Sequence, residues 1–144
     1  MTKDVLKNHY ERKYINENDD LITMDPVINI KLPGNRIEAA INYIPIYFKG
    51  GDIIELGAGN GIVAKTLLET ELPISTYTVG DISLPRLKGV RNNLKDERLL
   101  ILELDAENIP EEHYEKYDAV IMIALIEHLI DPIRAMQNIR KLLK

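Results

Sequence analysis

The sequence predicts an open, doubly wound α/β fold, a parallel sheet with helices on both faces. Three observations lead there. From residue 52 onward, strand-like and helix-like stretches alternate strictly. The strand-like stretches are nearly continuous apolar runs, which suits a sheet buried on both sides. Finally, "GAGNG" at 57–61 packs three glycines into five positions between the first of these strands and a helix. Such a turn lets a ligand come close to the backbone and to the unpaired N–H donors of the helix start. In open sheets of this kind the ligand lies beyond the carboxyl ends of the strands, near the switch in strand order.

Taken in order, residues 3–15 read as a helix with a partial apolar stripe of Val5, Leu6, Tyr10 and Tyr14. The stretch 16–34 mixes carboxylates, prolines and short apolar patches, and is expected to be an irregular connector and a candidate lid. A helix over 35–48 places Ile37, Ala40, Ile41 and Ile44 on one face, with Pro45 in its final turns. "DIIEL" reads as a strand and 60–71 as a helix, since Ile62, Val63, Leu67 and Leu68 recur at helical spacing. "STYTVGD" is the next strand, followed by the helix "SLPRLKGVRNNL", with Ser83 as its expected cap and Pro85 in its first turn. "RLLILEL" is strand-like, "ENIPEEHYEK" a connector and "YDAVIMIA" a strand. The last helix starts with Asp131 as cap and Pro132 at its first position, and sets Ile133, Met136, Ile139, Leu142 and Leu143 on one side. No repeat or linker divides the chain, so 1–34 (helix and connector) and 35–144 (ligand-binding domain) are treated as one structural unit.

Composition narrows the function classes. A chain of 144 residues with 45% apolar and 28% charged residues is an ordinary globular domain. Its formal charge of −5 gives no whole-surface attraction for nucleic acid or anionic lipid. With no cysteine, disulfides, a thiol nucleophile and a thiolate metal site are all excluded. The longest apolar run, "AVIMIALI" at 119–126, is too short to span a bilayer. "MTKDVLKNHYERKY" lacks the apolar core of a secretory signal. The expectation is a soluble, cytoplasmic protein without a membrane partner.

The glycine turn fits neither familiar phosphate cradle. A dinucleotide fingerprint needs its third glycine three places after the second, where this chain has Ile62, and no Gly-Lys-Ser/Thr closes a P-loop. With an acidic residue two places before the first glycine, "ELGAGNG" instead resembles motif I of the class I S-adenosylmethionine-dependent methyltransferases. "VGDIS" at 79–83 looks like the acidic end of that family's second strand, "LDAENIP" at 104–110 is similar to its post-strand-three motif, and "YDAVIMIALIEHLIDP" at 117–132 resembles its fourth strand and following loop. Four motifs in the family's order, on four expected strand ends, cover residues 37–144.

The resemblance implies a Rossmann-like sheet of strand order 3-2-1-4, S-adenosylmethionine as cofactor and S-adenosylhomocysteine as product. Gly57, Gly59 and Gly61, with Leu56, Ala58 and Asn60, would pass beneath the cofactor, and the helix beginning near Asn60 would favour its carboxylate. Glu55 is placed to favour the cofactor's ammonium. Asp81 would accept from the ribose hydroxyls, with Ser83 beside it. Asp105 would accept from the adenine amine, with the Ala106 and Glu107 backbone nearby, while Ile82 and Leu125 sandwich the ring. His128, in "EHL", is a candidate general base. Plainer roles stay open: the glycines could merely make the turn, Asp81 could cap a helix, Asp105 could be a solvated carboxylate and His128 could be structural. No spacing of His and carboxylates points to a metal site.

The implied reaction is in-line transfer of a methyl group to a small-molecule acceptor. A non-catalytic cofactor-binding or assembly module is the alternative, and an NAD-linked oxidoreductase is disfavoured by Ile62. Family members usually continue beyond the equivalent of "IRKLLK" into three further strands, so either a truncated domain or a natural short form that closes its sheet by association is expected. Its fourth strand, with Val120, Ile121, Met122 and Ile123, would be an open edge inviting a homodimer or higher assembly.

Overall fold

The computed structural model describes residues 2–14 and 36–144. The connector expected over 16–34 lies outside these residues, as do the side chains of Leu6, Tyr10, Tyr14, Ile37 and Ala40. Helices are α1 (Lys3–Tyr14), α2 (Arg36–Tyr47), α3 (Ile62–Leu68), α4 (Leu84–Asn93) and α5 (Pro132–Leu142). Strands are β1 (Gly51–Leu56), β2 (Ile74–Asp81), β3 (Leu99–Glu103) and β4 (Ala119–Met122), and single 3₁₀ turns occur at Glu111–His113 and Ile126–His128. The sheet has the order β3-β2-β1-β4, as expected, and its three pairings are parallel.

Alternation along the strands sends side chains to two separate cores. Ile53, Tyr77, Val79 and Ile121 pack with Val63, Ala64 and Leu67 of α3 and Leu87 and Val90 of α4. On the other face Ile54 and Leu56 pack with Leu104, Ile109 and Tyr117 and with Ala135 and Leu142 of α5. Helices on both faces explain why neighbouring Ile53 and Ile54, which point to opposite sides, are both apolar and fully buried.

Four details depart from the sequence reading. Val5 is exposed, so it adds nothing to a buried stripe on α1. The Ser83 side chain makes no capping bond, and its Oγ is buried with no partner among the described residues. Asp81 binds the residue before the helix and not the helix's own N–H groups, its Oδ1 accepting from the Ser83 N–H at 2.8 Å. The Asp131 cap is present, accepting from the Arg134 N–H, with Pro132 beginning the helix. On α5, however, the buried side is Ala135, Asn138 and Leu142, while Ile133 is 72% and Met136 47% exposed. The small Ala135 sets the close approach of α5 to the sheet, and that rotates Ile133 and Met136 out of the core. β4 stops at Met122 because Ala124 turns into the left-handed region, φ 53°, a strained setting for a residue with a Cβ.

Candidate functional site

Parallel pairing brings the carboxyl ends of β1, β2 and β3 to one end of the sheet. Leu56 stands opposite Gly80, and Asp81 opposite Glu103. The Leu104 N–H donates to the Asp81 carbonyl, so the segment bearing Asp105 leaves β3 beside the end of β2. Glu55, Asp81 and Asp105 therefore gather at the same end, around the glycine turn.

The turn is built for glycine. Gly57 and Gly61 have φ of 71° and 78°, conformations that L side chains rarely adopt. A Cβ on Gly57 would stand 2.8 Å from Leu125 Cδ1. Leu125 thus rests on the bare face of the turn, delivered there by the strained Ala124. Gly61 precedes α3 as its left-handed N-cap, and the Asn60 side-chain oxygen accepts from the Ile62 N–H at 3.3 Å. The helix begins two residues later than the sequence suggests, leaving its first N–H groups at the turn.

Asp81 ties the site together. Its Oδ2 accepts from the Gly59 N–H at 3.0 Å and its Oδ1 from the Ser83 N–H at 2.8 Å, linking the glycine turn to the end of β2. The Ile82 N–H also reaches this carboxylate. Burial lifts the Asp81 carboxyl above its ordinary value, opposed by the Ser83 and Gly59 N–H groups and by the Arg86 guanidinium. Arg86 lies over the turn, its Nη1 3.3 Å from where a Gly59 Cβ would be.

Glu55 is turned inward and is only 3% exposed. The Tyr77 hydroxyl donates to its Oε2 at 2.8 Å. Burial pushes the Glu55 carboxyl up to about 8; the Tyr77 hydroxyl works against this, the Asp81 charge adds to it, and the Ala64 N–H in the first turn of α3 works against it. Glu55 thus joins β1, β2 and α3 beneath the glycine turn.

The post-β3 segment is equally ordered. Asp105 Oδ1 accepts from the Glu107 N–H at 2.9 Å, and Oδ2 from Asn108 Nδ2 at 3.0 Å and Lys3 Nζ at 2.7 Å. The Glu107 side chain, 3% exposed, is a brace: its Oε1 accepts from the Ile130 and Asp131 N–H groups at 2.6 and 3.1 Å. Ala106 is buried, and its carbonyl accepts from Asn138 Nδ2 of α5. Ile82 and Leu125 are both half-buried, on the loops after β2 and β4. His128 and Glu127 are exposed on the 3₁₀ turn beyond β4.

Sequence reasoning did not single out Tyr77, Arg86, Lys3, Lys7 or the strain at Ala124. Arg86 left a signal, a cation in the first turn of a helix where the dipole disfavours it, which points to a nearby acid. The two lysines left none, because only the tertiary fold brings α1 to the end of β3.

A family model described as a methyltransferase domain matches residues 54–144. The ubiquinone biosynthesis O-methyltransferase of Aliivibrio fischeri (strain MJ11) is 26% identical over 97 residues, covering 66% of this chain and 40% of that protein. The chain thus spans about 40% of the length of the curated relatives it matches. Among solved structures, Haemonchus contortus phosphoethanolamine N-methyltransferase 2, in complex with phosphomonomethylethanolamine and S-adenosylhomocysteine, is similar at a TM-score of 0.69 and 21% identity, covering 92% of this chain and 33% of that one. A complex containing the Haloferax volcanii Trm112 methyltransferase activator gives a TM-score of 0.67 at 22% identity, covering 76% of this chain and 46% of that chain. At these identities the likeness to the solved structures is one of fold. No helix among the described residues is long and apolar enough to cross a membrane.

Proposed function

The chain belongs to the methyltransferase domain family, with the Rossmann-like architecture of class I S-adenosylmethionine-dependent methyltransferases, and from that premise we propose that it binds S-adenosylmethionine and supports methyl transfer to a small-molecule acceptor. The residues present fit such a group. The left-handed turn carries no side chain of its own at Gly57, Gly59 and Gly61, with Leu125 and Arg86 resting against it. Asp81 offers two carboxylate oxygens at the end of β2, suited to a ribose diol, and Asp105 offers an acceptor at the end of β3. When bound, the cofactor supplies a methyl group already activated by its sulfonium charge.

The chain's own share is alignment and exclusion of water. Asp81 orients the ribose end while its two backbone donors hold the carboxylate in place. Leu125 and Ile82 offer apolar contact for the nucleobase. Glu55 sits beneath the turn, where a cofactor ammonium would favour its charged form. For an acceptor that carries a proton, His128 is the candidate base, standing beyond β4. The curated relative acts on oxygen by name, which makes a hydroxyl acceptor the first to test. The cytoplasm is the compartment proposed for this activity.

The observation that carries the reading is the double grip of Asp81 on Gly59 and Ser83, which makes one pocket of two motifs. Calorimetric titration with S-adenosylhomocysteine tests it. Asp81→Asn should weaken binding roughly ten- to a hundredfold, the worth of hydrogen bonds to a charged group at about 1.5–3 kcal/mol. Equal affinity in the variant, or binding of NAD in place of the nucleoside, would refute the assignment.

One observation favours an assembly role in addition. Among the described residues no strand pairs with the outer edge of β4, although Leu143 bridges Tyr117 just before it, and Ile126, Ile130, Ile133 and Met136 are exposed in the segment that follows. Unprotected edges and apolar patches invite partners, and we propose a second copy of this chain as the partner.

A further inference from the structure

Helix α1 carries Lys3 and Lys7 one turn apart, and the edge it meets carries Glu103, Asp105 and Glu107 at every second position. Glu103 ends β3, and Asp105 and Glu107 lie in the turn that follows it. Lys3 Nζ lies 2.7 Å from Asp105 Oδ2 and 3.0 Å from Glu107 Oε2, while Lys7 pairs with Glu103. α1 also packs on α4, so it lies against both the end of β3 and the helix that follows β2.

The arrangement is specific about which oxygen is taken. Asp105 Oδ1 receives the Glu107 N–H, while Oδ2 receives Asn108 Nδ2 from its own turn and Lys3 from α1, so Lys3 takes the acceptor place that Asn108 leaves on the outward oxygen. Glu107 is a fixed counter-anchor, since the Ile130 and Asp131 N–H groups hold its other oxygen. Burial disfavours the Lys3 charge, but the hydrogen bonds to Asp105 and Glu107 outweigh it and hold the ammonium above the ordinary lysine value. For Glu107, burial is likewise outweighed, by the Asp131 N–H, Lys3 and the Ile130 N–H, and its carboxyl stays below the ordinary value.

We propose that Lys3 gates the nucleobase end of the pocket, its ammonium holding Asp105 Oδ2 until a nucleobase amine displaces it. This rests on the reading of Asp105 as the nucleobase acceptor. The gate makes the acceptor available only in the fraction of molecules with the latch open, and the apparent Kd is the intrinsic one divided by that fraction. For part-exposed ion pairs the penalty is roughly two- to fivefold. Lys3 can retreat to Glu107 without α1 leaving the domain, so opening is a local motion.

The experiment titrates S-adenosylhomocysteine into the full chain, Lys3→Met, Asp105→Asn and the double variant, at about 20 mM and about 500 mM salt. Lys3→Met should bind roughly two- to fivefold tighter than the parent at low salt. The parent should gain affinity relative to Lys3→Met as salt screens the latch. In the Asp105→Asn background, Lys3→Met should have no further effect, the signature of coupled residues. Weaker or equal binding by Lys3→Met, or effects at 3 and 105 that simply add, overturns the gate while leaving the cofactor assignment standing. Absence of binding in all four chains overturns the cofactor assignment, and the gate with it.

Discussion

Replacing Glu55 by glutamine should make the protein less sensitive to alkali. Glutamine mimics the protonated carboxyl in size and keeps an acceptor for the Tyr77 hydroxyl. In the folded chain burial raises the Glu55 carboxyl from the ordinary 4.5 to about 8, so between these values the native state holds a proton that the unfolded chain has lost. Stability from that proton is fully present below about 4.5, falls as pH rises, and is gone above about 8. At about 1.4 kcal/mol per pH unit, the whole span amounts to at most about 5 kcal/mol. Other shifted groups, Asp81 raised and Asp96, Glu107 and Asp118 lowered, are common to both chains and largely cancel in the difference. The assay is urea unfolding of parent and Glu55→Gln across pH 5 to 9, reading the difference in unfolding free energy. The two should be close near pH 5, and the variant should pull ahead steadily toward pH 8. Parallel curves over that window would refute the burial of a neutral carboxyl beneath the turn.

Gly61→Ala should cost about 2–4 kcal/mol, from the left-handed backbone and from overpacking, because its Cβ would meet Val90 Cγ2 at 3.0 Å and Val90 is fully buried. Gly59→Ala should cost less, since its Cβ would meet only the end of the Arg86 side chain at 3.3 Å; thermal melts reversing that order would contradict the packing described. Light scattering at micromolar concentration should give a dimer or larger species, and Ile133→Lys with Met136→Lys should shift it toward monomer. A clean monomer in the parent would count against pairing at the β4 edge.

Much of the fold was legible in the chain because local patterns and global structure agree. The apolar runs at 53–54 and 119–123 could only be strands covered on both sides, and Asp131-Pro132 marked the start of α5 through the chemistry of caps. That a carboxylate, Asp81, ends the second strand was legible from the sequence. What misled was any feature set by rotation about an axis or by a distant partner. Ile133 and Met136 share a helical face with Ile139 in sequence, yet small Ala135 seats the helix and turns them outward. Ser83 looks like a cap, but its side chain makes no capping bond and its hydroxyl is buried.

By itself, then, the sequence determined the parallel sheet, its turn of glycines and the carboxylates at the strand ends, since backbone preference and periodicity act over a few residues. Only the tertiary structure decided what those carboxylates do. Parallel pairing sank Glu55 against Tyr77 where water cannot hold its charge, and the docking of α1 brought Lys3 across a hundred residues of chain to Asp105, a meeting that no local pattern encodes.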